Sequence, residues 1–125
     1  MIKCIATQAV YVSDQRAAED FWRNKVGFEA VSRRDIGDEL YWLEVAPPGA
    51  QSRLVLYPKS LMNDWSERKP SIVFECEDVD RTYEELKDRG VDVGDPPIDM
   101  QWGRFGSFKD LDGNVFGLRP GSRRS

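Results

Sequence analysis

The chain of 125 residues contains no histidine. Histidine is the commonest general base near neutral pH and the commonest protein ligand for transition metals. Its absence removes the Ser–His and Cys–His pairs that activate most nucleophiles. It also removes the histidine ligands of ordinary zinc, iron and nickel sites.

Cysteine, positive charge and long apolar runs are also scarce. The two cysteines, Cys4 and Cys76, are far apart, and each lies in a strand-like stretch, so we expect small, reduced core residues. The net charge of −4 argues against nucleic acid as a partner and favours a cationic small molecule. The apolar runs are too short to cross a membrane. The first residues lack a basic-then-apolar signal segment, so we expect a cytoplasmic protein.

What is present predicts a soluble α+β domain with its own core, since 40% of the residues are hydrophobic and 32% are charged. The pattern β-α-β-β-β occurs twice. Asp14 and Asp78 are the predicted N-caps of helices that end before Gly27 and Gly90. The expected strands cover 2–12, 28–35, 40–46 and 52–57, then 71–77, 91–93, 104–109 and 114–119.

The two patterns predict a single domain, 1–125, made of two modules. The segment Tyr11–Asp14 aligns with Glu75–Asp78, 64 residues later, which indicates a duplicated unit. We place the modules at about 1–58 and 70–119. They are joined by a linker, 58–70, that either folds over the body as a flap or remains a surface loop. The tail, 120–125, is expected to fray.

Alternation along the strands separates two faces. One face is almost entirely apolar and should carry the helices: Val10, Val12, Leu54, Leu56, Ile72, Phe74, Phe116 and Leu118, with Leu43 and Val45 in the strand whose parity is reversed. The other face mixes aromatic, small and charged residues, which is typical of a ligand cavity or of a solvated sheet face. Trp42 favours a cavity, although a subunit interface would also cover an indole.

The duplicated pattern resembles a known superfamily. The residues that carry the resemblance are the helix segment 17–22 followed by Val26-Gly27-Phe28, and the ending Trp102-Gly-Arg-Phe with Asp110-Leu-Asp-Gly-Asn114. Together they resemble the vicinal oxygen chelate superfamily, which includes glyoxalase I, extradiol dioxygenases and bleomycin resistance proteins. The resemblance implies an open eight-stranded cup with helices on its convex face, a ligand on its concave face, and a homodimer.

The same resemblance implies where a metal would be held. The four ligand positions of the metal enzymes fall on Thr7, Val55, Ser71 and Gly117. Neither Val nor Gly offers a side-chain donor, and neutral hydroxyls bind divalent transition metals poorly. We therefore expect no metal and no cofactor. A weak site made of Glu44 and Glu75 alone is the remaining alternative.

Two interpretations remain open for Glu75. It could act as a general base, with Tyr11 or Tyr57 as the acid, or it could form a structural ion pair with Arg53 or Arg119. The segment Asp110–Asn114 lacks the glycine position and closing glutamate of a calcium loop and predicts a hairpin turn.

These observations predict a metal-free, bleomycin-resistance-like protein that binds a small, partly aromatic molecule and protects by sequestration. The first alternative is a lyase or isomerase of glyoxalase type that uses Glu75 as its base, so enzymatic activity is left undecided. The second alternative is a structural or regulatory partner whose cup is filled by side chains. The sequence does not identify the ligand. The expected ligand-binding residues are Tyr11, Trp42, Glu44, Arg53, Tyr57, Glu75, Trp102 and Arg119, with Trp102 placed at the rim of the cup by the resemblance.

Overall fold

The computed structural model describes residues 1–2, 5–64, 66, 71–101 and 103–121. Within it the chain divides into two compact units, Met1–Pro70 and Ser71–Ser125. Each unit contains one mixed sheet and one helical segment, so the predicted α+β class and the repeated β-α-β-β-β pattern are confirmed. None of the described helices is long and apolar enough to cross a membrane.

The first unit is a four-stranded sheet in the order β1-β4-β3-β2. Its strands pair antiparallel except at β1 and β4, which run parallel. A helix, α1, and a π-helical turn connect β1 to β2. The elements are β1 (Thr7–Val12), α1 (Gln15–Asp20), the π-helical turn (Phe21–Val26), β2 (Glu29–Gly37), β3 (Leu40–Ala46), β4 (Arg53–Pro58) and a short 3-10 turn (Lys59–Leu61).

The first helix begins as the sequence predicts. The Asp14 carboxylate accepts hydrogen bonds from the backbone N–H groups of Arg16 and Ala17 at 3.0 and 3.2 Å. The expectation of one regular α-helix between Asp14 and Gly27 was wrong, because Phe21–Val26 form a π-helical turn, which ends at Gly27 in the left-handed region. A π-turn holds an extra residue per turn, and here two consecutive aromatic side chains, Phe21 and Trp22, are both buried.

The core of the first unit follows the predicted parity. The six alternating apolar residues of β1, β3 and β4 are each at most 5% exposed: Val10, Val12, Leu43, Val45, Leu54 and Leu56. The parity reversal in β3 is therefore confirmed, and the mixed face lies on the opposite side of the sheet.

The second unit has the sheet order β5-β9-β8-β6, with a short strand, β7, paired to β8. Its first and last strands are again parallel neighbours. The rings of Phe74, Phe108 and Phe116 stack in its core, with centroids 5.4–6.1 Å apart. The elements are β5 (Ile72–Cys76), α2 (Val79–Asp88), β6 (Asp92–Val93), β7 (Ile98–Met100), β8 (Gly103–Lys109) and β9 (Val115–Pro120).

Three local expectations were wrong. The first strand starts at Thr7 instead of residue 2, β9 extends to Pro120 inside the expected tail, and β7 was not anticipated. β7 has only three residues, all exposed. Its sequence therefore shows no alternation of apolar and polar residues from which a strand could be predicted. Cys4, Trp65 and residues 122–125 lie outside the described residues. Cys76 donates to the Arg119 carbonyl at 3.6 Å, and burial raises the pKa of its thiol, as expected for an unreactive cysteine.

The segment after β8 is a turn held by one carboxylate. Asp110 Oδ1 accepts from the N–H groups of Asp112 and Asn114 at 3.0 and 2.9 Å, and its Oδ2 accepts from the Asn114 amide at 2.9 Å. Gly113 closes the turn at φ +81°, a conformation that other residues rarely adopt. Burial of Asp110 raises its pKa. This carboxylate is committed to backbone structure.

The first residue of α1 fastens the helix to the sheet. The buried Gln15 amide donates to the carbonyls of Tyr41 and Leu56 at 2.7 and 2.8 Å, and its oxygen accepts from the Tyr41 N–H at 3.1 Å. One side chain thus joins α1 to both β3 and β4. A buried backbone group that loses its partner costs about 1–3 kcal/mol.

We predict that Gln15→Leu lowers the free energy of unfolding by about 2–4 kcal/mol, because one bond to a buried backbone group and two bonds to partly buried ones are lost. Urea denaturation monitored by circular dichroism measures the change. The matched control is Arg16→Leu at the exposed neighbouring position, which should change stability by less than about 0.5 kcal/mol. Equal effects of the two substitutions would contradict the role given to Gln15.

Candidate ligand-binding site

The candidate site is the face of the first sheet opposite α1, here called the open face. The strand registers arrange its side chains in rows that cross the sheet. One row is aromatic: Tyr11 of β1 lies opposite Tyr57 of β4, and Trp42 of β3 lies opposite Arg34 of β2. The Tyr11 and Tyr57 rings meet edge to face at 5.8 Å, and Tyr57 meets Trp42 in the same manner at 6.3 Å.

In the next row, β1 and β4 contribute short apolar side chains, and β3 contributes a carboxylate. Ala9 lies opposite Val55, and Val55 lies opposite Glu44. Val55 is only 2% exposed although it points away from the helix. Ala9 and Val55 therefore form a low apolar floor beside the aromatic row. A further step along β1 and β4, Thr7 lies opposite Arg53.

Glu44 connects these rows. Its Oε2 accepts from the Trp42 indole N–H at 2.6 Å, and its Oε1 accepts from the Arg53 guanidinium at 3.0 Å. Only 13% of the Glu44 side chain is exposed, whereas Arg53 is 41% exposed. The indole hydrogen bond, and then the bond to Arg53, hold the pKa of Glu44 below its ordinary value of 4.5, with a smaller contribution from the Arg34 charge. The carboxylate fixes the orientations of both Trp42 and Arg53.

The other predicted site residues lie in the second unit. Arg119 donates to Glu75 at 3.2 Å, and both side chains are about half exposed. Of the two partners proposed for Glu75, the structure pairs it with Arg119, while Arg53 binds Glu44. Trp102 lies outside the described residues.

The five predicted residues of the first unit are brought together on the open face: Tyr11, Trp42, Glu44, Arg53 and Tyr57. That Trp42, Arg53, Glu75 and Trp102 share one pocket stays a prediction. The sequence interpretation missed Arg34, because β-bulges in β2 interrupt the alternation that would have placed it. It also missed Phe105, whose ring lies over Gly117.

An open cleft of about 440 Å³ lies elsewhere in the first unit, between the start of α1 and the β2–β3 turn. Two of its polar groups are committed to the fold, since Asp14 caps α1 and Gln15 binds the sheet. It lacks the row of rings found on the open face. Its lining residues are Ser13, Asp14, Gln15, Arg16, Asp38, Glu39, Leu40 and Tyr41.

Comparison with known proteins agrees with the fold described above. Residues 5–118 match the Glyoxalase/Bleomycin resistance protein/Dioxygenase superfamily. The chain belongs to this superfamily. It is 54% identical to the uncharacterized protein YetH of Bacillus subtilis, with 95% of this chain and 99% of that protein covered.

Two solved structures are similar over nearly the whole chain. A superfamily member from Sphaerobacter thermophilus has 37% identity and a TM-score of 0.85, covering 96% of this chain and 98% of its own. TnmS3, an antibiotic binding protein from Streptomyces sp., has 36% identity and a TM-score of 0.81, covering 97% and 98%.

The family metal positions are equivalent in the two units. Thr7 lies two residues before the partner of Val55, and Ser71 lies two residues before the partner of Gly117. None of the four offers a carboxylate, imidazole or thiolate, so these residues do not fit a divalent transition metal. At Gly117 even a Cβ would lie 2.9 Å from the Phe105 ring. Among the described residues, no three Cys, Asp or Glu side chains are grouped to hold a metal ion.

We predict that Glu44→Gln lowers stability by about 1–3 kcal/mol at pH 7, because the ionised carboxylate binds both Trp42 and Arg53. The lowered pKa means that this stabilisation is complete above pH 4.5 and is lost as the pH falls through the folded-state value. The urea midpoints of wild type and variant should therefore converge in acid.

The matched control is Glu84→Gln, which removes one charge from the exposed face of α2. Its midpoint should follow that of the wild type across the whole pH range. A Glu44→Gln difference that persists unchanged to pH 3 would show that the ionised form of Glu44 is not the source of the stabilisation.

Proposed function

We propose that this protein binds a small, partly aromatic molecule on the open face and protects by sequestration, without a metal. The observation that carries the proposal is the aromatic row of Tyr11, Tyr57 and Trp42 beside an apolar floor. The similarity to TnmS3, an antibiotic binding protein, supports it. A cytoplasmic location and a cup shared by the two modules stay predictions from the sequence.

The geometry of the row suits a flat ligand. Edge-to-face packing holds each ring by its neighbour, and the hydrogen bond to Glu44 holds the indole. Rings fixed before binding lose little conformational entropy when the ligand arrives. Ala9 is partly exposed beside the row, whereas Val55 lies almost fully buried beneath it. A planar molecule can therefore lie over Ala9 and against the aromatic row.

Two features support binding over catalysis. The positions that hold the metal in related enzymes carry no carboxylate, imidazole or thiolate in this chain, which disfavours the metal-dependent reactions of the superfamily at these positions. The carboxylate considered as a base, Glu75, is half exposed and paired with Arg119. An exposed ion pair is an ordinary structural feature. The alternative of a lyase or isomerase therefore has less support than the binding protein.

We also propose a homodimer. The outer strand of the first sheet, β2, has nine residues, and its Val31 and Ile36 are 41% and 46% exposed. A long exposed edge strand with apolar side chains tends to recruit a partner. Light scattering at micromolar concentration should give twice the chain mass of 14.3 kDa. A monomeric mass would contradict the proposal.

We predict that Trp42→Ala weakens the binding of a planar aromatic antibiotic by roughly 1–3 kcal/mol, the range for removing one stacking ring. A thermal-shift screen of such antibiotics selects the ligand, and isothermal titration calorimetry then measures its affinity. A chelator should leave the affinity unchanged.

The matched control is Tyr41→Ala on the same strand. Tyr41 lies on the opposite face, where the Arg33 guanidinium is 5.3 Å from its ring centre. This variant should keep the wild-type affinity. Binding that is lost equally in both variants would mean that the ligand does not use the open face. Binding that requires an added divalent metal would refute the metal-free mechanism.

A further inference from the structure

On the open face, the charges on β2 and β3 differ from those on β1 and β4. Its ionisable side chains on β2 and β3 are Glu29, Arg34 and Glu44. Its ionisable groups on β1 and β4 are Arg53 and the phenols of Tyr11 and Tyr57. The half formed by β1 and β4 therefore contains one cation and no carboxylate. Its remaining side chains are Thr7, Ala9 and Val55.

Part of the Arg53 guanidinium is hydrogen-bonded, and part of the side chain is accessible to solvent. One N–H of its guanidinium donates to Glu44, and the side chain is 41% exposed. A guanidinium has five N–H donors, so the group retains donors for a further acceptor. Thr7, directly across from Arg53 on β1, is exposed and adds a hydroxyl.

Glu44 cannot easily serve a cationic ligand. Both of its oxygens already accept hydrogen bonds, from Trp42 and Arg53, and little of the side chain is exposed. The charges of Arg53 and Arg34 further lower its pKa. The two arginines outnumber this carboxylate, so the cluster of Glu44, Arg53 and Arg34 has a net charge of +1. Glu29 lies on β2, paired with Ala46, which places it two strands away from Arg53.

We propose that the ligand of the open face is an aromatic acid: a planar ring system that carries a carboxylate or an acidic phenol. This inference rests on the proposed function and specifies its ligand class. The ring lies over Ala9 and against Tyr57 and Trp42, and the acidic oxygen binds Arg53 with the Thr7 hydroxyl nearby. A guanidinium binds a carboxylate through two parallel N–H donors, which gives direction as well as attraction. The overall negative charge of the chain does not decide the sign of the ligand, because charges beyond about 10 Å are largely screened in salt.

The test uses three probes with the same ring: 2-naphthoate, the neutral 2-naphthamide and the cationic 2-naphthylmethylammonium. Isothermal titration calorimetry on the wild-type protein should give an affinity for 2-naphthoate at least about tenfold higher than for the amide, with the cation weakest. Raising the salt from about 0.02 to about 0.5 M should reduce this preference.

Arg53→Gln should bring the naphthoate and naphthamide affinities within about threefold of each other, and Arg53→Lys should keep part of the difference because it keeps the charge. The matched control is Arg81→Gln on the exposed surface of α2, which removes the same charge and should keep the wild-type preference. The salt dependence of the wild type tests the inference even if Arg53→Gln fails to fold.

The outcomes separate this inference from the proposed function. Equal affinities for the three probes, or tightest binding of the cation, would overturn the aromatic-acid inference and leave aromatic binding intact. A preference for naphthoate that Arg53→Gln does not change would overturn the assignment to Arg53. If none of the three probes binds, the proposed function fails together with the inference.

Discussion

The parallel pairing of the first and last strands in each unit is the constraint on which the rest depends. Adjacent parallel strands cannot be joined by a tight turn, so the chain must leave the sheet between them. In both units a helix forms part of this connection and covers one face of the sheet. In the first unit the buried apolar residues of β1, β3 and β4 alternate toward that face, and the opposite face is left for other uses. The open face of the first unit therefore follows from the topology.

On that face, Glu44 sets the chemistry. It is largely buried, yet the acidic proton is easily lost because an indole and a guanidinium both donate to the carboxylate. A buried carboxylate without such partners would become protonated or destabilise the fold. The cluster thus satisfies a structural requirement, and as a consequence it presents Trp42 and Arg53 in fixed orientations. In the proposed function, the contacts that stabilise the sheet also fix the groups that contact the ligand.

The sequence predicted the parts of this arrangement that depend on regular periodicity. Alternation in β1, β3 and β4 located the core and the open face, including the reversed parity of Leu43 and Val45, and capping by Asp14 and Asp78 located both helix starts. Periodicity fails where a residue is inserted. The bulges of β2 concealed Arg34, and the π-helical turn altered the end of the first helix. Gln15 was missed because its role depends on two carbonyls, those of Tyr41 and Leu56, that only the folded sheet brings together.

The net charge of the chain shows that prediction of the ligand from composition is limited in a similar way. The value of −4 describes the field far from the protein, and it favours a cationic ligand when nothing else is known. A bound ligand instead experiences the few charges within several ångströms, and the described charges that interact around Glu44 on the open face, those of Glu44, Arg53 and Arg34, sum to +1. Since carboxylates are concentrated on other surfaces, such as α2 and its cap, the sign of the local site is opposite to that of the whole chain. The ligand class is therefore better inferred from strand register, which determines which charges share a face, than from composition.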